Sequence, residues 1–129
     1  MSAFSDALAV TSSGLKAQAT RLRLVSENIA NVDTPGYRRK LAAFELTGDA
    51  DTVRHVETGR IRLDQSERQV IHDPAHPLAG DDGTYVGSNV DLILEIADAR
   101  EAQRSYEANL KMFEQTRQMS GALLDLLRR

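Results

Sequence analysis

The chain has 129 residues, 41% hydrophobic, 27% charged and only 5% aromatic, with no Trp and a formal net charge of −3. That is room for one ordinary domain whose core is built from Ala, Leu, Val and Ile rather than from rings. The acidic balance argues against a general nucleic-acid binder, and the absence of Cys removes disulfides, thiolate nucleophiles and Cys-based zinc sites.

All three prolines and six of the eight glycines fall between residues 35 and 87. This segregation predicts an N-terminal helical arm over 1–34, a small β-rich middle over 35–88 and a long C-terminal helical arm over 89–129. The fold class that follows is mainly α with a small β-rich insert, its two long helices paired as a coiled-coil-like hairpin.

In the first arm Leu8, Leu15, Leu22 and Ile29 recur every seven residues, with Phe4, Val25 and Val32 between them. Thr11 and Gln18 interrupt the second line. The pattern is an a/d-type seam, and Ser2 or Ser5 is the expected cap. The arm stops at Asn31-Val32-Asp33-Thr34-Pro35-Gly36, a run of turn-formers in which Pro35 cannot continue a helix. Pro35-Gly36 is expected to set the direction in which the chain leaves.

In the middle, Arg39 to Leu46, Thr52 to Val56, Arg60 to Leu63 and Arg68 to Ile71 read as short strands, with a turn at Thr58-Gly59. Asp49 to Thr58 follows no clear pattern. Arg38-Arg39-Lys40 reads as a solvated strand start, or as a contact for acidic residues of a partner. His72 and His76 have zinc-ligand spacing, but Pro74 between them and Pro77 after them oppose the helix that spacing needs. A His-based metal hydrolase on His55, His72 and His76 is therefore a remote alternative, and neither a metal nor a cofactor is expected.

The second arm carries Leu92, Ile96, Ala99, Tyr106, Leu110, Phe113, Leu124 and Leu127 at three- and four-residue spacing. Carboxylates such as Glu95 and Asp98 read as solvated helix-surface charge. A helix from Val90 to Leu127 would be about 57 Å long. Being the longer arm, it should offer part of its apolar stripe to another chain. The first arm, interrupted at Thr11, Gly14 and Gln18, looks marginal alone and is expected to order only on assembly. No apolar run approaches the ~18 residues of a membrane span. The N-terminus lacks the basic start and continuous apolar core of a cleaved secretory signal.

Two motifs carry a resemblance. Ser26-Glu-Asn-Ile-Ala-Asn-Val-Asp-Thr-Pro-Gly-Tyr37 resembles the N-terminal signature of the bacterial flagellar axial proteins, the rod and hook family. Ser88-Asn-Val-Asp-Leu92 followed by Glu101-Ala-Gln-Arg-Ser-Tyr-Glu-Ala-Asn-Leu110 resembles that family's C-terminal helix. The short length and the His72 to Asn89 loop are most similar to the C-type proximal rod subunit. The motif residues are Asn28, Ala30, Asn31, Thr34, Pro35, Gly36, Tyr37, Asn89, Val90, Asp91, Gln103, Arg104, Tyr106 and Asn109. The resemblance implies a structural, non-enzymatic subunit in the periplasmic rod of the basal body. It would assemble helically with copies of itself and other rod proteins to transmit torque. It would leave the cell through the flagellar type III export apparatus, with no cleaved signal peptide. Tyr37 is expected to pack on a neighbouring subunit. Helix packing and assembly would fall to Leu8, Leu15, Leu22, Val25 and Ile29 on one arm, and to Leu92, Ile96, Tyr106, Leu110, Phe113, Leu124 and Leu127 on the other. The alternative is a soluble coiled-coil adaptor or flagellar secretion chaperone.

Overall fold

A computed structural model describes residues 2–128. Two long helices, α1 (Ser2–Ala30) and α2 (Leu92–Leu127), flank six short strands: β1 (Lys40–Leu41), β2 (Phe44–Thr47), β3 (His55–Thr58), β4 (Arg62–Leu63), β5 (Val70–His72) and β6 (Thr84–Val86). At ~1.5 Å per residue the helices are about 44 and 54 Å long. Thr11, Ser13 and Thr20, which break the apolar pattern of α1, satisfy their hydroxyls on carbonyls one turn back (Ala7, Val10 and Lys16) and leave the helix intact. Ser5 lies inside the helix and caps nothing, and the Ser2 side chain is outside the described residues. The start of α2 is capped by Asp91, whose Oδ1 accepts from the N–H groups of Ile93 and Leu94 at 3.1 and 3.4 Å.

The helices run antiparallel. Gly14 faces Asn109, Arg21 reaches Asp98 and Glu101, and Asn28 faces Glu95. Carried along at equal rise, this register sets the start of α1 beside Gly121, so the last turns of α2 project past α1. Where they touch, the residues are small or polar. Ala17 and Ala102 are fully covered, and a Cβ at Gly14 would stand 3.1 Å from the Asn109 amide. Among the buried aliphatics of the described residues, only Leu24, Val25 and Val90 are large. At about 1.5–3 kcal/mol each, three such side chains make a thin core.

The strands form three antiparallel pairs, β1 with β4, β2 with β3, and β5 with β6. The first two are one ribbon. Phe44 faces Thr58 and Leu41 faces Arg62, so Ala42-Ala43 is opposed by Gly59-Arg60-Ile61, one residue more. The expected Thr58-Gly59 turn is thus a bulge within a continuous edge. Gly59 lets the Glu45 side chain lie close over the bulge, where a Cβ would stand 2.6 Å from its carboxylate and displace it. The unplaced segment from Asp49 supplies the ribbon's tip, where Thr52 bonds back to Asp49, and then β3. β3 lies on α1, with the Val56 N–H donating to Ser13 Oγ at 3.2 Å.

Candidate functional site

The exit from α1 is a hydrogen-bonded turn. The Tyr37 N–H donates to the Thr34 carbonyl at 3.2 Å, with Pro35 and Gly36 in the two central positions. Gly36 has φ +74°, the left-handed conformation that a type II turn demands at its third residue. Its N–H donates to the carbonyls of Val86 and Gly87, which ties the turn to the end of β6. Asn31 closes the helix by donating its side-chain N–H to the Glu27 carbonyl at 2.8 Å, and its Oδ1 accepts from Thr34. The chain therefore reverses in a fixed direction.

Tyr37 turns back into its own chain. Its hydroxyl donates to Asn28 Oδ1 at 2.8 Å, which anchors the half-buried ring from within the chain. Asn28 is 1% exposed, and its amide is fully used. Oδ1 also accepts from the Lys40 N–H at 2.9 Å, while Nδ2 donates to the Lys40 carbonyl and to Glu95 Oε2. One side chain thereby joins α1, β1 and α2. Asn89 does the same on the other flank. Its Oδ1 accepts from the Arg39 N–H, and its Nδ2 donates to the Asp64 carbonyl at 2.9 Å and to Ser66. The Ser88 hydroxyl donates to the Val32 carbonyl.

The cationic trio is absorbed by the same junction. Arg39 Nε bonds Glu95, Nη2 donates to Asp98 at 3.2 Å and Nη1 stands 3.7 Å from Asp64. Lys40 Nζ bonds Glu27 at 3.0 Å, and Arg38 donates to the carbonyls of Asp64 and Ser66. All three cations thus have acceptors within the chain, and Lys40 opens β1 with its side chain 38% exposed. The reading of Glu95 as surface charge is corrected, since its exposure is 0%. Carboxyl oxygens at that depth need polar partners, and Arg39 and Asn28 supply one to each.

The electrostatics follow. Burial would lower the affinity of Arg39 for its proton. The bond to Glu95 and the charges of Glu95, Asp98 and Asp64 outweigh it and hold the guanidinium above its ordinary value. The hydrogen bond with Lys40 pulls the Glu27 carboxyl below its usual range, and the same bond raises the Lys40 ammonium. Bonds from the Ser66 backbone and hydroxyl lower Asp64. Burial pushes the Tyr37 hydroxyl up.

Most of the motif residues thus meet at one end of the hairpin: Asn28, Asn31, Thr34, Pro35, Gly36, Tyr37, Asn89, buried Val90 and the cap Asp91. Of the rest, Ala30 is exposed at the same end, while further along α2 Gln103 and Arg104 are exposed and Tyr106 and Asn109 half-buried. Of the seam residues, Val25 is buried, while Leu8, Leu15, Leu22, Ile29, Tyr106 and Phe113 are half-buried. Leu92, Ile96, Leu110, Leu124 and Leu127 are exposed in the single chain. His76 stacks on Tyr85 with ring centroids 3.9 Å apart, and His55 sits on β3 against α1. Among the described residues, no group of three His, Cys, Asp or Glu gathers as metal ligands. Nor, among them, is any helix long and apolar enough to cross a membrane.

Comparison with known proteins matches both halves of this junction. Residues 8–38 fit the family described as flagella basal body rod protein. Residues 83–126 fit the family described as flagellar basal body rod FlgEFG protein C-terminal. The chain is 41% identical to the flagellar basal-body rod protein FlgC of Agrobacterium fabrum, over 99% of this chain and 98% of that one. It is 30% identical to FlgC of Bacillus subtilis, over 98% and 99%. With FlgC of Salmonella typhimurium the identity is 27%, over 85% and 87%. A relative of such identity along its whole length, and both terminal motifs drawn into one junction, settle the affiliation: the chain belongs to the flagellar basal-body rod protein family.

Proposed function

We infer that the chain serves as a structural subunit of the flagellar basal-body rod, and that it is a non-catalytic part of the proximal rod, transmitting torque through the periplasm. The observation that carries the finer reading is the division of labour along the hairpin. Buried polar bonds fix the geometry at one end, while the leucines of α2 stay outward and uncovered. A fold that spends its polar groups on internal geometry and leaves its apolar stripe free is suited to burial among neighbours. Those neighbours would be other rod proteins and further copies, repeating in an open helical array. Export through the flagellar type III apparatus, without a cleaved signal, belongs to the same reading and is supported by the family resemblance.

Electron microscopy of basal bodies from a strain deleted for this gene is the direct test. Loss of the rod, restored by the intact gene, is the expected result. Intact rods in non-swimming cells would move the reading to the adaptor or secretion chaperone.

A further inference from the structure

The loop from β5 to β6 is folded by its own bonds. The His76 N–H donates to the Asp73 carbonyl, the Ala79 N–H to the His76 carbonyl and the Gly83 N–H to the Gly80 carbonyl, each at 3.0 Å. Pro77 and Leu78 take the two central positions of the turn that His76 opens. The His76 ring does there what an Asp or Asn side chain commonly does. Its Nδ1 accepts from the N–H two residues on, that of Leu78, at 3.1 Å. The same ring lies on Tyr85 of β6, with centroids 3.9 Å apart and planes inclined by 14°. Acceptance at Nδ1 fixes the neutral tautomer, with its proton on Nε2. The next proton can go only to Nδ1, and a protonated Nδ1 cannot accept from Leu78.

We propose that His76 is a pH-sensitive latch on the tip of this loop: the neutral ring holds the Leu78 N–H, and the imidazolium releases it while staying stacked on Tyr85. Histidine is the side chain whose charge ordinarily changes between about pH 5 and 8. The face of a tyrosine ring attracts a cation, so protonation favours the stack while it breaks the bond. A half-turn of the ring in its own plane carries the new N–H away from the Leu78 amide without unstacking. The tip therefore loosens and the hairpin stands. Leu78, 64% exposed, is the apolar side chain whose position the latch controls. The other titratable or charged groups of the hairpin are His72, Asp73, Asp81, Asp82 and Tyr85. Asp73 Oδ1 is engaged by the Ala75 N–H, and the Asp82 carboxylate by the N–H and hydroxyl of Thr84. Those Thr84 bonds hold Asp82 below its usual range, with a smaller contribution from the charge of His72. His72, which lies against Gly83, is thus the second imidazole that the test must separate from His76.

Nuclear magnetic resonance on the isotope-labelled full chain reads each of these groups. At about pH 8 the ring nitrogens of His76 should report the proton on Nε2. As the pH falls to about 5, the Leu78 amide proton should move upfield with the midpoint of the His76 titration. Its exchange protection, corrected for intrinsic rate, should drop about fivefold, the contribution of one ordinary hydrogen bond. The Tyr85 ring signals should keep the shifts of a stacked pair. His76→Asn supplies an acceptor that does not titrate, and should hold Leu78 in its alkaline state throughout. His76→Phe keeps a ring on Tyr85 without an acceptor, and should leave Leu78 in its acid state throughout. His72→Gln should leave the transition in place. A proton on Nδ1 in the alkaline form would overturn the proposal. So would a Leu78 amide that ignores the titration of His76, or a transition that disappears with His72→Gln. Should His76→Phe disturb the loop, the native chain and His76→Asn decide the matter between them.

Discussion

The two ends of the helical hairpin are built on opposite principles. At the junction, buried Asn28 and Glu95 have their polar atoms taken up by Tyr37, Arg39 and Lys40, and the chain's three segments meet in bonds of fixed direction. At the far end, α2 continues alone with leucines in the open. Hydrophobic burial is non-directional, whereas a network of paired polar groups tolerates one arrangement and is costly when half made. The junction therefore specifies geometry within the subunit, and the far end leaves apolar surface uncovered in the single chain.

The largest effect should come from breaking the direction of exit. Gly36→Val puts a β-branched residue at φ +74°, a conformation that costs of order 1–3 kcal/mol for residues other than glycine. The turn would open, releasing its bonds to Val86 and Gly87. We expect expression to persist and swimming in soft agar to be abolished. Normal swimming would show that the exit direction is not what the junction protects.

Next in size is the buried ion pair. Removing one partner of such a pair costs about 3–5 kcal/mol when both are buried. Arg39 keeps partial access to water, so Glu95→Ala should cost about 2–3 kcal/mol in urea unfolding of the subunit. Leu127→Ala at the far end should change stability by less than about 0.5 kcal/mol. Equal losses at the two sites would erase the distinction between the ends.

Much of this fold was legible in the sequence. The breaker-free arms and the Pro/Gly-rich middle gave the helices and strands, because propensity and turn chemistry are local. The exit turn was legible for the same reason: Thr34-Pro35-Gly36-Tyr37 encodes its own geometry. Glu95 was not. Its partners Asn28 and Arg39 lie 67 and 56 residues away, and nothing near Glu95 distinguishes it from the solvated Glu101 or Glu107. The one local signal was its phase, since Glu95, Ala102 and Asn109 share the heptad position that faces α1. The seam was hard to read for a related reason. Spacing identifies apolar stripes, but close approach of two helices selects small residues such as Ala17, Gly14 and Ala102, which carry little hydrophobic weight.

A third test separates the ends by dynamics. In the isolated subunit, amide exchange should be slowest from Leu24 to Ile29, beside the junction, and at least tenfold faster from Leu8 to Gly14. That gradient follows from the distribution of buried contacts, because local opening is easiest where few are lost. It also suits a first arm that completes its order on assembly. Strong, uniform protection from Leu8 to Ile29 would refute both.

The smallest effect is that of acid on the outer ion pairs. Glu27 and Asp64 have carboxyl pKa values below their ordinary 4.5 and 3.8, through bonds from Lys40 and Ser66 respectively. A depressed carboxyl contributes stability that is fully present above its unfolded value and is lost as pH falls through its folded value. The urea midpoint should hold from neutrality down to about pH 5 and decline below that. Both groups are open to solvent, so their share is modest and screened by salt. Glu27→Gln and Asp64→Asn should each flatten part of the decline, by less than Glu95→Ala lowers the midpoint at neutral pH. Unchanged acid slopes in both variants would mean that the outer pairs only decorate the junction, and that its geometry rests on Asn28, Asn89 and the Arg39–Glu95 pair alone.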